Sequence, residues 1–119
     1  MINTKAFMIL SISVLIFKGL SYFYTFSNKS TTPIIDIHKA TQNEIETSKS
    51  WPIRTKEISE FDYSYDQTEQ CMILEGEVDI KMNDNKIYSF KSGDFVTFPK
   101  GLKCKWIIKQ PVKKHYKFS

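Results

Sequence analysis

Six residues in the second half of the chain could do chemistry together: Tyr63, Tyr65, Glu69, Cys71, Cys104 and Trp106. Glu69 is the candidate catalytic group. It heads EQCMILEG, a largely apolar run, where a carboxylate can serve as a general acid or base. It can equally accept structural hydrogen bonds from Tyr63, Tyr65 or a lysine, and both roles stay open. Cys71 and Cys104 form neither a disulfide framework nor a CxxC motif. A reactive thiol needs a cationic neighbour, and the sequence shows none beside them, so small buried side chains are the simpler reading. His115 shares a strand face with Lys113 and Lys117, opposite Val112, Tyr116 and Phe118, which predicts an outward side chain. His38 has no evident partner.

The elements that would position these groups are short and β-rich. Expected strands are 51–54, 57–65, 69–75, 78–82, 87–90, 95–98, 103–108 and 112–118. Turn signals at Asp66-Gln67, Glu75-Gly76, Asn83-Asp84-Asn85, Ser92-Gly93-Asp94, Pro99-Lys100-Gly101 and Gln110-Pro111 separate them. A first strand is expected at 34–37, and the capping-box spacing of Thr41 and Glu44 predicts a short helix over 41–48. So many short strands at this spacing point to a sandwich or barrel. Alternation turns Cys104, Trp106 and Ile108 inward, with Lys103 and Lys105 outward, and likewise turns Phe61, Tyr63 and Tyr65 inward. Both faces of 69–74 are largely apolar, which predicts a strand covered on both sides.

Two spacings carry a family resemblance. GDFVTFPKGLKC resembles the second cupin motif, G-x5-P-x-G-x2-H, with Cys104 in the place of the histidine. Glu69 and Gly76 resemble the end of the first, E-x6-G. Across residues 34–119, the stretches WPI, SEFDYSYD, ILEGEV, GDFVTFPKGLKCKW and VKKHYKF are similar to the small single-cupin relatives of (S)-ureidoglycine aminohydrolase. The resemblance implies an all-β fold: a single cupin (double-stranded β-helix, or jelly-roll) barrel, here preceded by an N-terminal hydrophobic helix. It also implies a cavity lined by Tyr63, Tyr65, Glu69, Cys71, Cys104 and Trp106. In the metal-binding members an H-x-H pair stands where this chain has Tyr63 and Tyr65. Of the implied ligand types only Glu69 survives, and two phenols, a thiol and one carboxylate make a poor cage for a divalent cation. No metal and no other cofactor is expected, and whether the chain is an enzyme stays open.

Residues 6–26 are largely apolar and aromatic, with Lys18 the one charge, off-centre where it can snorkel, and as a helix would span about 31 Å, close to one bilayer core. A single-pass signal anchor is expected, with a cleaved signal peptide leading to secretion or an organelle lumen as the alternative. Residues 27–32 then form a polar tether and 33–119 the cupin domain. The net charge of +4 is uneven. Nine acids against Lys81 occupy 57–84, whereas seven lysines and no acid occupy 100–119. Opposite-charge pairing between neighbouring strands explains both runs, and no nucleic-acid partner is expected. The expected partners are an unidentified small molecule, a membrane through residues 6–26 and, as an option, a second copy in a homodimer. The function expected is that of a membrane-tethered, metal-free small-molecule-binding or structural cupin. The alternative is a hydrolase acting on a small ureido or amide compound through Glu69.

Overall fold

The computed structural model describes residues 34–119. The expected membrane segment 6–26 and the tether 27–32 lie outside the described residues. Among the described residues no helix is long and apolar enough to cross a membrane.

The chain runs β1 (Asp36–Lys39), α1 (Gln42–Ser48), β2 (Ile53–Lys56), β3 (Ser59–Ser64), β4 (Glu69–Met82), β5 (Ile87–Lys91), β6 (Asp94–Phe98) and β7 (Lys103–Phe118). Helix α1 begins where the capping box requires. Thr41 Oγ1 accepts the Glu44 N–H at 3.1 Å, and Glu44 Oε1 accepts the Thr41 N–H at 2.9 Å, satisfying two donors that a helix start leaves orphaned.

Two long strands organise everything else. Their antiparallel pairing runs from Glu69↔Phe118 at one end to Met82↔Cys104 at the other. On the first half of β4 and the second half of β7 the sheet order is β1-β6-β4-β7-β2. On their other halves β5 flanks β4 and β3 flanks β7. One continuous sheet therefore folds over on itself as an all-β, cupin-like barrel, with the apolar core between its two halves.

The fold-over occurs where turns were expected. Glu75-Gly76 and Gln110-Pro111 do not end strands. They face each other inside the β4–β7 pairing, where the register slips between Ile73 and Val78. Gly76 sits at φ +110°, and a Cβ there would lie 2.6 Å from the Pro111 carbonyl oxygen and 2.7 Å from Val112 Cα. Only glycine permits that backbone approach, and proline on the partner strand gives up a ladder donor at the bulge. The four expected strands 69–75, 78–82, 103–108 and 112–118 are thus two.

Alternation set the faces as expected. Cys71, Ile73, Val78, Ile80, Val96 and Phe98 are fully buried within the barrel. The start of β4 is covered on both sides: Cys71 and Ile73 point in, while Met72 and the neighbouring Phe95 are buried on the outer face, where α1 and Trp51 pack. The charged runs meet across strands, with Lys109 Nζ 3.4 Å from Asp79 and Lys105 Nζ 3.9 Å from Glu60. Such exposed pairs are each worth under about 1 kcal/mol, so they favour one register without holding the fold together. His38, expected to be unpaired, is not: Nδ1 lies 2.7 Å from Asp36 Oδ2, and Nε2 lies 2.9 Å from both Glu44 carboxylate oxygens. The helix brings Glu44 back over β1, a contact that a six-residue separation does not disclose. The Nδ1 of His115 meets the Trp51 carbonyl at 2.9 Å on the outer face.

Candidate functional site

The cavity opens between the two halves of β7, under β2 and β3, with a volume of about 310 Å³. That is the lower end of the range for small-molecule sites, ~300–1,000 Å³. Its floor is set by the pairing of β4 with β7. Register places Ile73 opposite Lys114, Cys71 opposite Tyr116 and Glu69 opposite Phe118, so Glu69, Cys71 and Lys114 share the inner face. Lys114 reaches along that face, and its Nζ donates to Glu69 Oε2 at 2.8 Å. Glu69 is 3% exposed and Lys114 7%. The ammonium also lies 4.8 Å from the centre of the Trp106 ring.

Burial alone disfavours the Lys114 charge. The Cys71 sulfur and the hydrogen-bonded Glu69 outweigh it, and the ammonium titrates above the ordinary lysine range. Lys114 is therefore a donor and a fixed positive charge, not an amine free to attack a carbonyl. Cys71 does have a cationic neighbour, contrary to expectation. Even so, burial pushes its thiol well up, and the Lys114 charge only partly offsets this.

The aromatic wall is held from the backbone. The Tyr65 N–H donates to the Leu102 carbonyl at 2.8 Å, and the Gly101 N–H donates to the Tyr65 carbonyl at 2.7 Å, so the Pro99-x-Gly101 turn locks Tyr65 against β7. Its ring stacks on Phe98 with centroids 4.9 Å apart, and its phenol oxygen accepts from Trp106 Nε1 at 3.3 Å. Burial, reinforced by the negative charge of Glu69, pushes the Tyr65 hydroxyl far above its usual range, so it stays a neutral phenol. Phe61 lies parallel to Trp106 at 5.9 Å.

The structure brings Tyr63, Tyr65, Glu69 and Trp106 to one cavity wall. Tyr63 stands at its rim, 38% exposed. Cys71 is fully buried behind that wall and does not belong to its lining. Cys104 is buried opposite Tyr63 and Met82, on the side of β7 away from the Lys114 end, where burial and the charges of Asp62 and Glu69 push its thiol up to about 11. The three cavity cations, Lys114, Arg54 and Lys56, all escaped the sequence reading. A signal existed for Lys114, which alternates in step with Val112, Tyr116 and Phe118.

A divalent cation does not fit here. Glu69, the one retained ligand type, has an oxygen committed to Lys114, Tyr65 is a neutral phenol, and Cys104 lies off the cavity wall. Among the described residues no three His, Cys, Asp or Glu side chains converge as a metal site would require. A buried ammonium beside Glu69 would also repel the metal.

Comparison with known proteins gives the chain its relatives. The model of the EutQ-like cupin domain matches residues 44–116. The crystal structure of a DUF861 family protein from Thermotoga maritima is 45% identical with a TM-score of 0.69, covering 72% of this chain and 100% of that one. The EutQ protein of Clostridium difficile is 22% identical with a TM-score of 0.50, covering 54% of this chain and 50% of that one. A DUF861 family protein of Pseudomonas syringae pv. tomato is 22% identical with a TM-score of 0.52, covering 56% and 29%. These last two show likeness of fold alone. No curated protein matches.

Proposed function

Because the chain belongs to the EutQ-like cupin domain family, we propose that it is a metal-free, small-molecule-binding cupin of the (S)-ureidoglycine aminohydrolase cupin-domain type, tethered to a membrane through residues 6–26. The observation that carries the binding reading is the buried Lys114–Glu69 pair, lining a cavity of ligand size in place of a metal cage. A buried ion pair is a weak device for stability, since desolvation consumes most of the attraction. It is a good device for orienting a ligand that offers both an acceptor and a donor, because each partner keeps hydrogen-bonding capacity beyond their shared bond. Trp106 then supplies the apolar platform, and Tyr63 the rim.

One observation favours a second reading, hydrolysis of a small ureido or amide compound. An ammonium 2.8 Å from a carboxylate could steady the oxyanion that forms when a water, deprotonated by Glu69, adds to the carbonyl carbon. Titration of the full chain with hydantoin, acetamide, urea and acetate, followed by tryptophan fluorescence, tests the binding reading. Saturable binding that Lys114→Met abolishes is expected, and release of ammonia that stops in Glu69→Gln would transfer support to the hydrolase. A membrane fraction resistant to alkaline carbonate is expected for the full chain and not for one lacking residues 1–30.

A further inference from the structure

The cavity has an excess of positive charge with an unusual origin. Register sets Arg54 directly opposite Lys114, and Lys56 opposite Val112, so both β2 cations share the cavity-facing side with Lys114. Like charges directly opposed on adjacent strands destabilise a sheet. Lys114 has Glu69, but neither Arg54 nor Lys56 has a carboxylate within 4.0 Å among the described residues. Instead each rests on an aromatic ring: Arg54 lies 4.7 Å from the centre of Tyr116, and Lys56 Nζ 5.1 Å from that of Phe61. On β7, Lys109 and Lys105 find acids on the neighbouring strands, at Asp79 and Glu60. The chain has 17 basic residues, and Arg54 alone among them is an arginine. Its fork can hold a planar anion through two parallel hydrogen bonds, which a lysine cannot.

We infer that the mouth of the cavity is an anion site, and that the ligand is a small organic carboxylate with an apolar body. This rests on the binding reading above and adds the ligand's class. The carboxylate sits between Arg54 and Lys56, where it relieves the Arg54–Lys114 repulsion. The apolar body lies against Phe61, Trp106 and Ile108, which leave little for a wholly polar ligand to bond to. The far end meets the Lys114–Glu69 pair.

The test uses the full chain carrying Trp51→Phe, so that the remaining tryptophan is Trp106, titrated with benzoate, hexanoate and the neutral isostere benzamide. Benzoate and hexanoate should quench fluorescence saturably, with benzamide about tenfold weaker or worse, as loss of a charge-assisted pair implies. Arg54→Gln should erase that preference, and Arg54→Lys should restore only part of it. Without ligand, Arg54→Gln gives up the Tyr116 contact along with the repulsion, so its unfolding temperature should stay within a few degrees of its parent's, whereas a purely structural arginine would be missed. Equal binding of benzoate and benzamide overturns the anion site and leaves the binding reading standing. If neither carboxylate binds, the anion site is overturned as well, and the polar probes of the first titration decide the binding reading separately.

Discussion

Lys114 Nζ donates to Glu69 Oε2 across 2.8 Å, from a backbone position 45 residues away, and water reaches almost none of either side chain. Removing one partner leaves the other charged and buried. Lys114→Met should cost about 3–5 kcal/mol in urea unfolding, and Glu69→Met a similar amount. The double variant should be more stable than either single one, because two apolar side chains leave no orphan charge. If the costs of the two single variants simply add, the pair is not coupled as the geometry requires.

Gly76 and Gly93 separate two costs that positive φ usually mixes. Both have left-handed backbones, at +110° and +97°, but a Cβ on Gly93 meets open space, whereas one on Gly76 strikes the backbone of Pro111 and Val112. Gly93→Ala should cost about 1 kcal/mol from φ alone, and Gly76→Ala about 2–4 kcal/mol. Chemical denaturation of both variants gives the comparison, and equal losses would show that the close approach at the bulge relaxes freely.

The two thiols should be inert in the folded chain. Burial raises both, Cys104 to about 11 and Cys71 further, so almost no thiolate exists at pH 8. A disulfide-exchange reagent at that pH should label two thiols per chain in urea and none without it over the same minutes. Rapid native labelling of Cys71 would mean that the Lys114 charge dominates its surroundings.

The clasp between β1 and α1 should depend on pH. Hydrogen bonds that protonated His38 donates to Glu44 and then to Asp36 raise it above 6.5, so its contribution is fully present below 6.5 and is lost as pH rises through the folded value. For Glu44, burial pushes up, but the Thr41 backbone and His38 together pull it below 4.5, so its contribution is present above 4.5 and is lost as pH falls through the folded value. Protection of the amides of residues 42–45, taken as exchange relative to the intrinsic rate at each pH, should be greatest between those two folded values, and His38→Gln should remove the alkaline limb. A flat profile in the parent chain would refute the clasp.

Much of this protein is decided by local chemistry that the sequence carries on its face. Thr41 and Glu44 cap the helix because hydrogen bonds three residues apart need no distant partner. Period-two alternation turned Trp106, Cys104 and Ile108 inward because the pleat of a strand does so wherever that strand lies. The Pro99-x-Gly101 spacing placed the turn that grips Tyr65. What alternation cannot say is which strand lies alongside which, and in what register. Gly76 and Pro111 looked like two turns because each breaks a strand by itself. Only their meeting makes them one bend between two long strands. Lys114 belonged by parity with Val112 and Tyr116, yet the sequence alone could not justify burying an ammonium, because its partner Glu69 arrives only through the β4–β7 pairing. Arg54 likewise became a cavity residue only when β2 paired with the far end of β7. Side-chain direction is a property of each strand, but charge compensation is a property of neighbours, and the tertiary structure alone chose those.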